Sequence, residues 1–110
     1  MGVFAVGDVV LVSFPYADFS KFKKRPALVV GYAEFDNLIL CQITSKAETS
    51  RSAIRLTSSD FSSEGGLNLS SYIRPDKLFT LEQSIIEKHV GTIKATRLKA
   101  VRADIRQLFK

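Results

Sequence analysis

The chain has 110 residues, 45% apolar and 25% charged, which fits one compact domain over residues 1–110 with its own core and leaves no room for a second. Its net charge of +5 falls entirely in residues 94–110, where Lys94, Arg97, Lys99, Arg102, Arg106 and Lys110 face only Asp104, while the preceding residues balance. No apolar stretch approaches the roughly 18 residues of a membrane span, so a membrane-free, cytoplasmic protein is expected.

Gly7-Asp8 leads into Val9 to Phe14, a β-branched run stopped by Pro15, which predicts a strand buried on most of both faces. A polar loop follows, and Pro26 to Tyr32 predicts a second strand with proline at its start. Asp36-Asn37 signals a turn into a third strand over Leu38 to Thr44, and the three form a meander. Ala53 to Thr57 predicts a short fourth strand; Ser58 to Gly66 is turn-rich, with room for one helical turn; Ser71 to Thr80 is extended around Pro75. Thr80 is placed to cap a short helix with Gln83 three residues on, and Lys88 to Ile93 returns as a strand. The remainder is a terminal helix, with Leu98, Val101, Ile105, Leu108 and Phe109 on one face and most basic residues on the other. Short strands followed by one helix predict a mainly β (α+β) fold, a small curved barrel with a helix packed on it.

Several chemistries are excluded by counting. Cys41 and His89 are the only soft ligands, too few for a structural zinc site. One histidine rules out a nuclease that uses one His as base and another as acid. The glycines form neither a P-loop nor a dinucleotide fingerprint, so no cofactor and no metal are expected. Cys41 alternates within a strand and reads as a small core side chain, and His89 as an ordinary surface or core residue. The conspicuous local feature is Lys21, Lys23, Lys24 and Arg25 with Tyr16, Phe19 and Phe22 interleaved. Fixed positive charge suits a phosphate backbone, and flat rings suit unpaired bases.

The order of pieces is recognisable: Gly7-Asp8-Val9-Val10-Leu11-Val12 with Phe14-Pro15, Lys24-Arg25-Pro26-Ala27-Leu28-Val29-Val30, Ile43-Thr44-Ser45, Gly66-Leu67, Ser71 to Leu81, and Val90-Gly91. Taken together from about Gly7 to the final helix, they resemble the MazF/PemK-like family of toxins from toxin–antitoxin pairs. The resemblance implies an SH3-like barrel of the CcdB/PemK type, a homodimer, and a metal-independent, sequence-selective endoribonuclease (an mRNA interferase) cutting single-stranded RNA. It also implies a cognate antitoxin whose tail blocks the RNA groove. On that resemblance Arg25 and Thr44 are the catalytic pair, with Phe19, Lys21, Lys23, Lys24, Ser45, Ser71 and Lys77 expected to contact substrate. Arg74 is expected to be structural or interfacial.

The chemistry is compatible with these residues. RNA carries its own nucleophile in the 2′-hydroxyl, whose attack needs orientation more than a metal-activated water. A guanidinium at Arg25 would hold two non-bridging oxygens as charge builds on them, and the Thr44 hydroxyl would donate to a phosphate oxygen or accept from the 2′-hydroxyl. Expected products are a 2′,3′-cyclic phosphate and a 5′-hydroxyl. A guanidinium seldom gives up its proton, so the base stays open between Asp18 and Lys24. Two other readings use the same residues: a gyrase-inhibiting toxin on the same scaffold, and a barrel that binds RNA without cutting it.

Overall fold

The computed structural model describes residues 4–15, 22–46, 52–62 and 71–109. Its strands are β1 (Asp8–Pro15), β2 (Phe22–Ala33), β3 (Asn37–Thr44), β4 (Ile54–Leu56), β5 (Ser71–Glu82) and β6 (Lys88–Thr92), followed by helix α1 (Ala95–Gln107). Single 3-10 turns occupy Ser58–Asp60 and Gln83–Ile85. All pairings are antiparallel, in the order β4-β5-β3-β2-β1-β6. The predicted meander of the first three strands is present.

The runs in β1 and β2 are apolar at successive positions because both sheet faces are covered. Val9, Leu28, Cys41, Ile43 and Ile73 turn to one side, where Val101 of α1 closes the core with help from Leu98 and Ile105. Val10, Val12, Ala27, Val29, Leu38 and Leu40 turn to the other, with Ile86 buried among them. A strand alternates its side chains, so a run without polar interruptions follows directly from two buried faces.

Curvature brings the sheet's two edges towards each other. Phe61, just beyond β4, bridges Ile93, just beyond β6. Ser62 N–H donates to the Thr92 carbonyl at 2.8 Å, and Lys94 N–H to Asp60 at 2.8 Å. The result is a half-barrel with the terminal helix against one face. No helix among the described residues is long and apolar enough to cross a membrane.

Buried Pro75 sits inside β5. A proline lacks the N–H that a ladder needs, and the strand absorbs it by slipping register. Cys41 pairs with Leu78 and Gln42 with Arg74, so Pro75, Asp76 and Lys77 stand outside the ladder.

Three expectations need correction. The second strand does not start at Pro26: β2 begins at Phe22 and Pro26 lies inside it opposite Leu11, because residues 22–25 continue the ladder with Val12 to Pro15 of β1. Thr80 does not cap a helix: β5 stays paired through Glu82, opposite Asn37, because Phe79 and Leu81 pack against the second apolar cluster. The helical turn begins only at Gln83. Leu108 and Phe109 do not join the buried face, since α1 ends at Gln107 and leaves them 46% and 74% exposed. Two basic residues of α1 serve the fold, Arg102 donating to the Val30 carbonyl and Arg97 pairing with Asp60.

Candidate active site

Arg25 and Thr44 are 19 residues apart in sequence, and antiparallel pairing brings their strands side by side. The last registered pair between β2 and β3 at this end is Ala27 with Gln42. Arg25 lies two residues before Ala27, and Thr44 two residues after Gln42. With a side-chain period of two, both share the face of Ala27 and Leu40, opposite the face that receives α1. Opposite Arg25 on β1 is Val12, in the same apolar cluster.

The same face continues across the sheet. Thr44 pairs with Tyr72 of β5, and Tyr72 with Arg55 of β4. Arg25, Thr44, Tyr72 and Arg55 thus succeed one another on four adjacent strands, a span of about 14 Å at the usual strand spacing. Gln42 and Arg74, paired with each other, form the next row.

Thr44 is 9% exposed, and its Oγ1 accepts the Lys46 backbone N–H at 3.2 Å. That bond uses an oxygen lone pair and leaves the hydroxyl proton to be donated. An accepted hydrogen bond also polarises the O–H and makes it a better donor. Arg25 is half-buried and has no carboxylate partner among the described residues. Arg74 differs, because its Nε and one terminal nitrogen grip both oxygens of Asp76 at 3.0 and 2.9 Å. Those bonds hold the Asp76 carboxyl below its ordinary range against the opposing effect of burial. Held in that way, Asp76 is a poor proton acceptor and an effective orienter of Arg74.

The other candidates disperse. Lys24 alternates to the face opposite Arg25 and pairs with Glu87 at 3.1 Å. Ser45 is exposed next to Thr44, and Lys77 is exposed beside Asp76 in the slipped part of β5. Ser71 is buried at the start of β5, opposite Leu56. Phe19, Lys21, the side chain of Lys23 and the candidate base Asp18 lie outside the described residues. His89 reaches Asp8 Oδ1 at 3.3 Å and the Thr92 hydroxyl at 3.2 Å, on the β1–β6 side of the sheet. Cys41 is buried, and desolvation pushes its thiol up to about 12, so at neutral pH it is a core side chain and no nucleophile.

Sequence reasoning did not single out Tyr72, Arg55 or Asp76 as members of the candidate site. Asp76 was within reach, two residues from Arg74 in Arg74-Pro75-Asp76. Tyr72 and Arg55 carry no local signal, because only the β3–β5 and β4–β5 registers bring them into one row with Thr44.

A family model of the PemK-like, MazF-like toxin of type II toxin–antitoxin systems matches residues 5–109. The chain belongs to that family. Solved structures with the same fold include MazE–MazF from Deinococcus radiodurans, 24% identical, covering 99% of this chain and 97% of that one at a TM-score of 0.77. An endoribonuclease in complex with its cognate antitoxin from a mycobacterial species is 14% identical, covering 99% and 95% at 0.73. The Mycobacterium tuberculosis toxin MazF-mt6 is 18% identical, covering 93% and 95% at 0.69. A search of curated proteins returns no match. Family membership and half-barrel agree with the resemblance read from the ordered motifs.

Proposed function

We propose that the protein is a sequence-selective endoribonuclease toxin that cleaves single-stranded RNA without a metal and is held in check by a cognate antitoxin. The observation that carries this reading is the placement of Arg25 and Thr44 at matching positions on neighbouring strands, on one face, with the guanidinium unclaimed by any described carboxylate. The likeness to structures described as an endoribonuclease, and as a toxin with its antitoxin, supports it.

In this mechanism the scissile phosphate lies between Arg25 and Thr44. Arg25 binds two non-bridging oxygens and offsets the charge that develops as the 2′-oxygen adds to phosphorus. The Thr44 hydroxyl, already accepting from Lys46 N–H, donates to the phosphate. The 2′-hydroxyl gives up its proton to water as its oxygen bonds to phosphorus, the bond to the 5′-oxygen breaks, and that oxygen takes a proton from water, giving a 2′,3′-cyclic phosphate and a 5′-hydroxyl. Asp76 keeps Arg74 oriented from the next row. The toxin acts as a homodimer, and base choice arises from groups around the row.

The test is cleavage of a varied set of single-stranded RNAs by the purified protein in EDTA. Cleavage that Arg25→Ala and Thr44→Ala abolish is expected. An inactive wild type, or activity restored only by a divalent metal, would refute the proposal.

A further inference from the structure

Glu87 lies outside the row of candidate site residues, yet it holds β2, the strand that carries Arg25, to its neighbour β1. Its backbone N–H donates to the Leu11 carbonyl of β1 at 3.0 Å, and its neighbour Ile86 is buried in the second apolar cluster. The Glu87 side chain therefore starts from a fixed point. One carboxylate oxygen accepts the Ser13 hydroxyl of β1, and the other takes the Lys24 ammonium of β2 at 3.1 Å. Ser13 and Lys24 are cross-strand partners, and the adjoining pair in the ladder is Val12 with Arg25. One side chain from the lead-in to β6 thus clasps β1 to β2 immediately beside Arg25.

Resting on the nuclease reading, we infer that Glu87 is a positioning residue: by clasping Ser13 and Lys24 it fixes the frame from which the Arg25 guanidinium reaches the phosphate. Each bond alone is an exposed polar contact of small effect. Two bonds from one anchored carboxylate to a cross-strand pair restrict the relative motion of the strands, which neither contact does separately. The Ser13 hydrogen bond first, and then Lys24, hold the Glu87 carboxyl below its ordinary range, so the clasp is charged at neutral pH. The clasp also engages the Lys24 ammonium and leaves Arg25 as the open cation of this pair of residues.

The test compares wild type, Glu87→Ala, Glu87→Gln and Lys24→Met/Glu87→Ala on one cleavable RNA at fixed ionic strength. Glu87→Ala is expected to lower kcat by about threefold to fivefold, the range open to an exposed charged pair, with KM moved by less than about twofold. Glu87→Gln keeps an acceptor for Ser13 and should recover part of the loss. The double variant should fall no further than Glu87→Ala. Independently of activity, hydrogen exchange at the amides of residues 22–25 should quicken in Glu87→Ala. Unchanged exchange would overturn the clasp. Quickened exchange with unchanged kcat, or a rise in KM alone, would overturn its positioning role. A wild type that cleaves no RNA would instead refute the nuclease reading, while exchange still judges the clasp.

Discussion

Thr44→Val changes one oxygen for a methyl at nearly constant volume. In the folded protein the missing oxygen is the acceptor for the Lys46 N–H at 3.2 Å, in a residue 9% exposed. Losing one neutral hydrogen bond of this kind costs about 1 kcal/mol, and for a domain near this size a loss of that order lowers Tm by about 4 °C. Catalysis should suffer far more, because removing a donor aimed at developing charge typically costs about 100-fold to 1,000-fold in kcat. That corresponds to roughly 3–4 kcal/mol of transition-state stabilisation, several times the folding loss, so partial unfolding at 25 °C cannot account for it. Thr44→Ser separates the two effects, since it keeps the hydroxyl and loses only a methyl; it should stay within about tenfold of wild type. The assay is single-turnover cleavage of a doubly labelled RNA in EDTA, alongside thermal melts of all three proteins. Near-wild-type cleavage by Thr44→Val, or a serine variant as inactive as the valine, would refute the donor role.

Burial opposes ionisation of Asp60, but the Thr57 backbone N–H and the Arg97 guanidinium outweigh it and hold the carboxyl below its ordinary range. A depressed folded pKa contributes stability above the unfolded carboxylate value of about 3.9, lost as pH falls through the folded value. Asp60→Asn should therefore flatten the acid limb of a stability–pH curve, and an unchanged limb would contradict the pairing. Phe35 is 87% exposed at a backbone φ of 60° in the β2–β3 turn, a conformation that disfavours a bulky side chain. Phe35→Asn should stabilise the fold by about 1 kcal/mol in urea titrations, and a loss would contradict that account. Cys41 should resist iodoacetamide in the native protein and react promptly in denaturant; native labelling at a matching rate would contradict its burial.

The parts of the fold legible in sequence are those written in local pattern. Val9 to Val12 and Ala27 to Val30 announce buried strands because β-branched residues crowd both faces, and Leu98, Val101 and Ile105 announce the inward side of α1. The order in which strands assemble has no such signature. β5 lies between β3 and β4, and β6 lies beside β1, through contacts distant in sequence. Pro75 was visible as an interruption, but a bulge that keeps β5 whole depends on Gln42 and Cys41 across the ladder. Thr80 carries the residue type of a helix cap; burial of Phe79 and Leu81 outweighs that preference.

The site divides in the same way. Arg25 and Thr44 are singled out by their place in the ordered motifs, and register explains why they share one face on neighbouring strands. Lys24, adjacent to Arg25 in sequence, looked equivalent as a phosphate contact, but alternation turns it to Glu87 instead. Tyr72 and Arg55 enter only when β3, β5 and β4 are laid side by side.

In the proposed mechanism the protein orients RNA for attack by its own 2′-oxygen. An otherwise cleavable RNA carrying a single 2′-deoxy nucleotide on the 5′ side of the scissile phosphate removes that oxygen and leaves every protein group in place. No cut is expected at that phosphate, and the unmodified parent should end in a 2′,3′-cyclic phosphate. Cutting of the deoxy substrate at the same phosphate, at a rate near that of the parent, would contradict it.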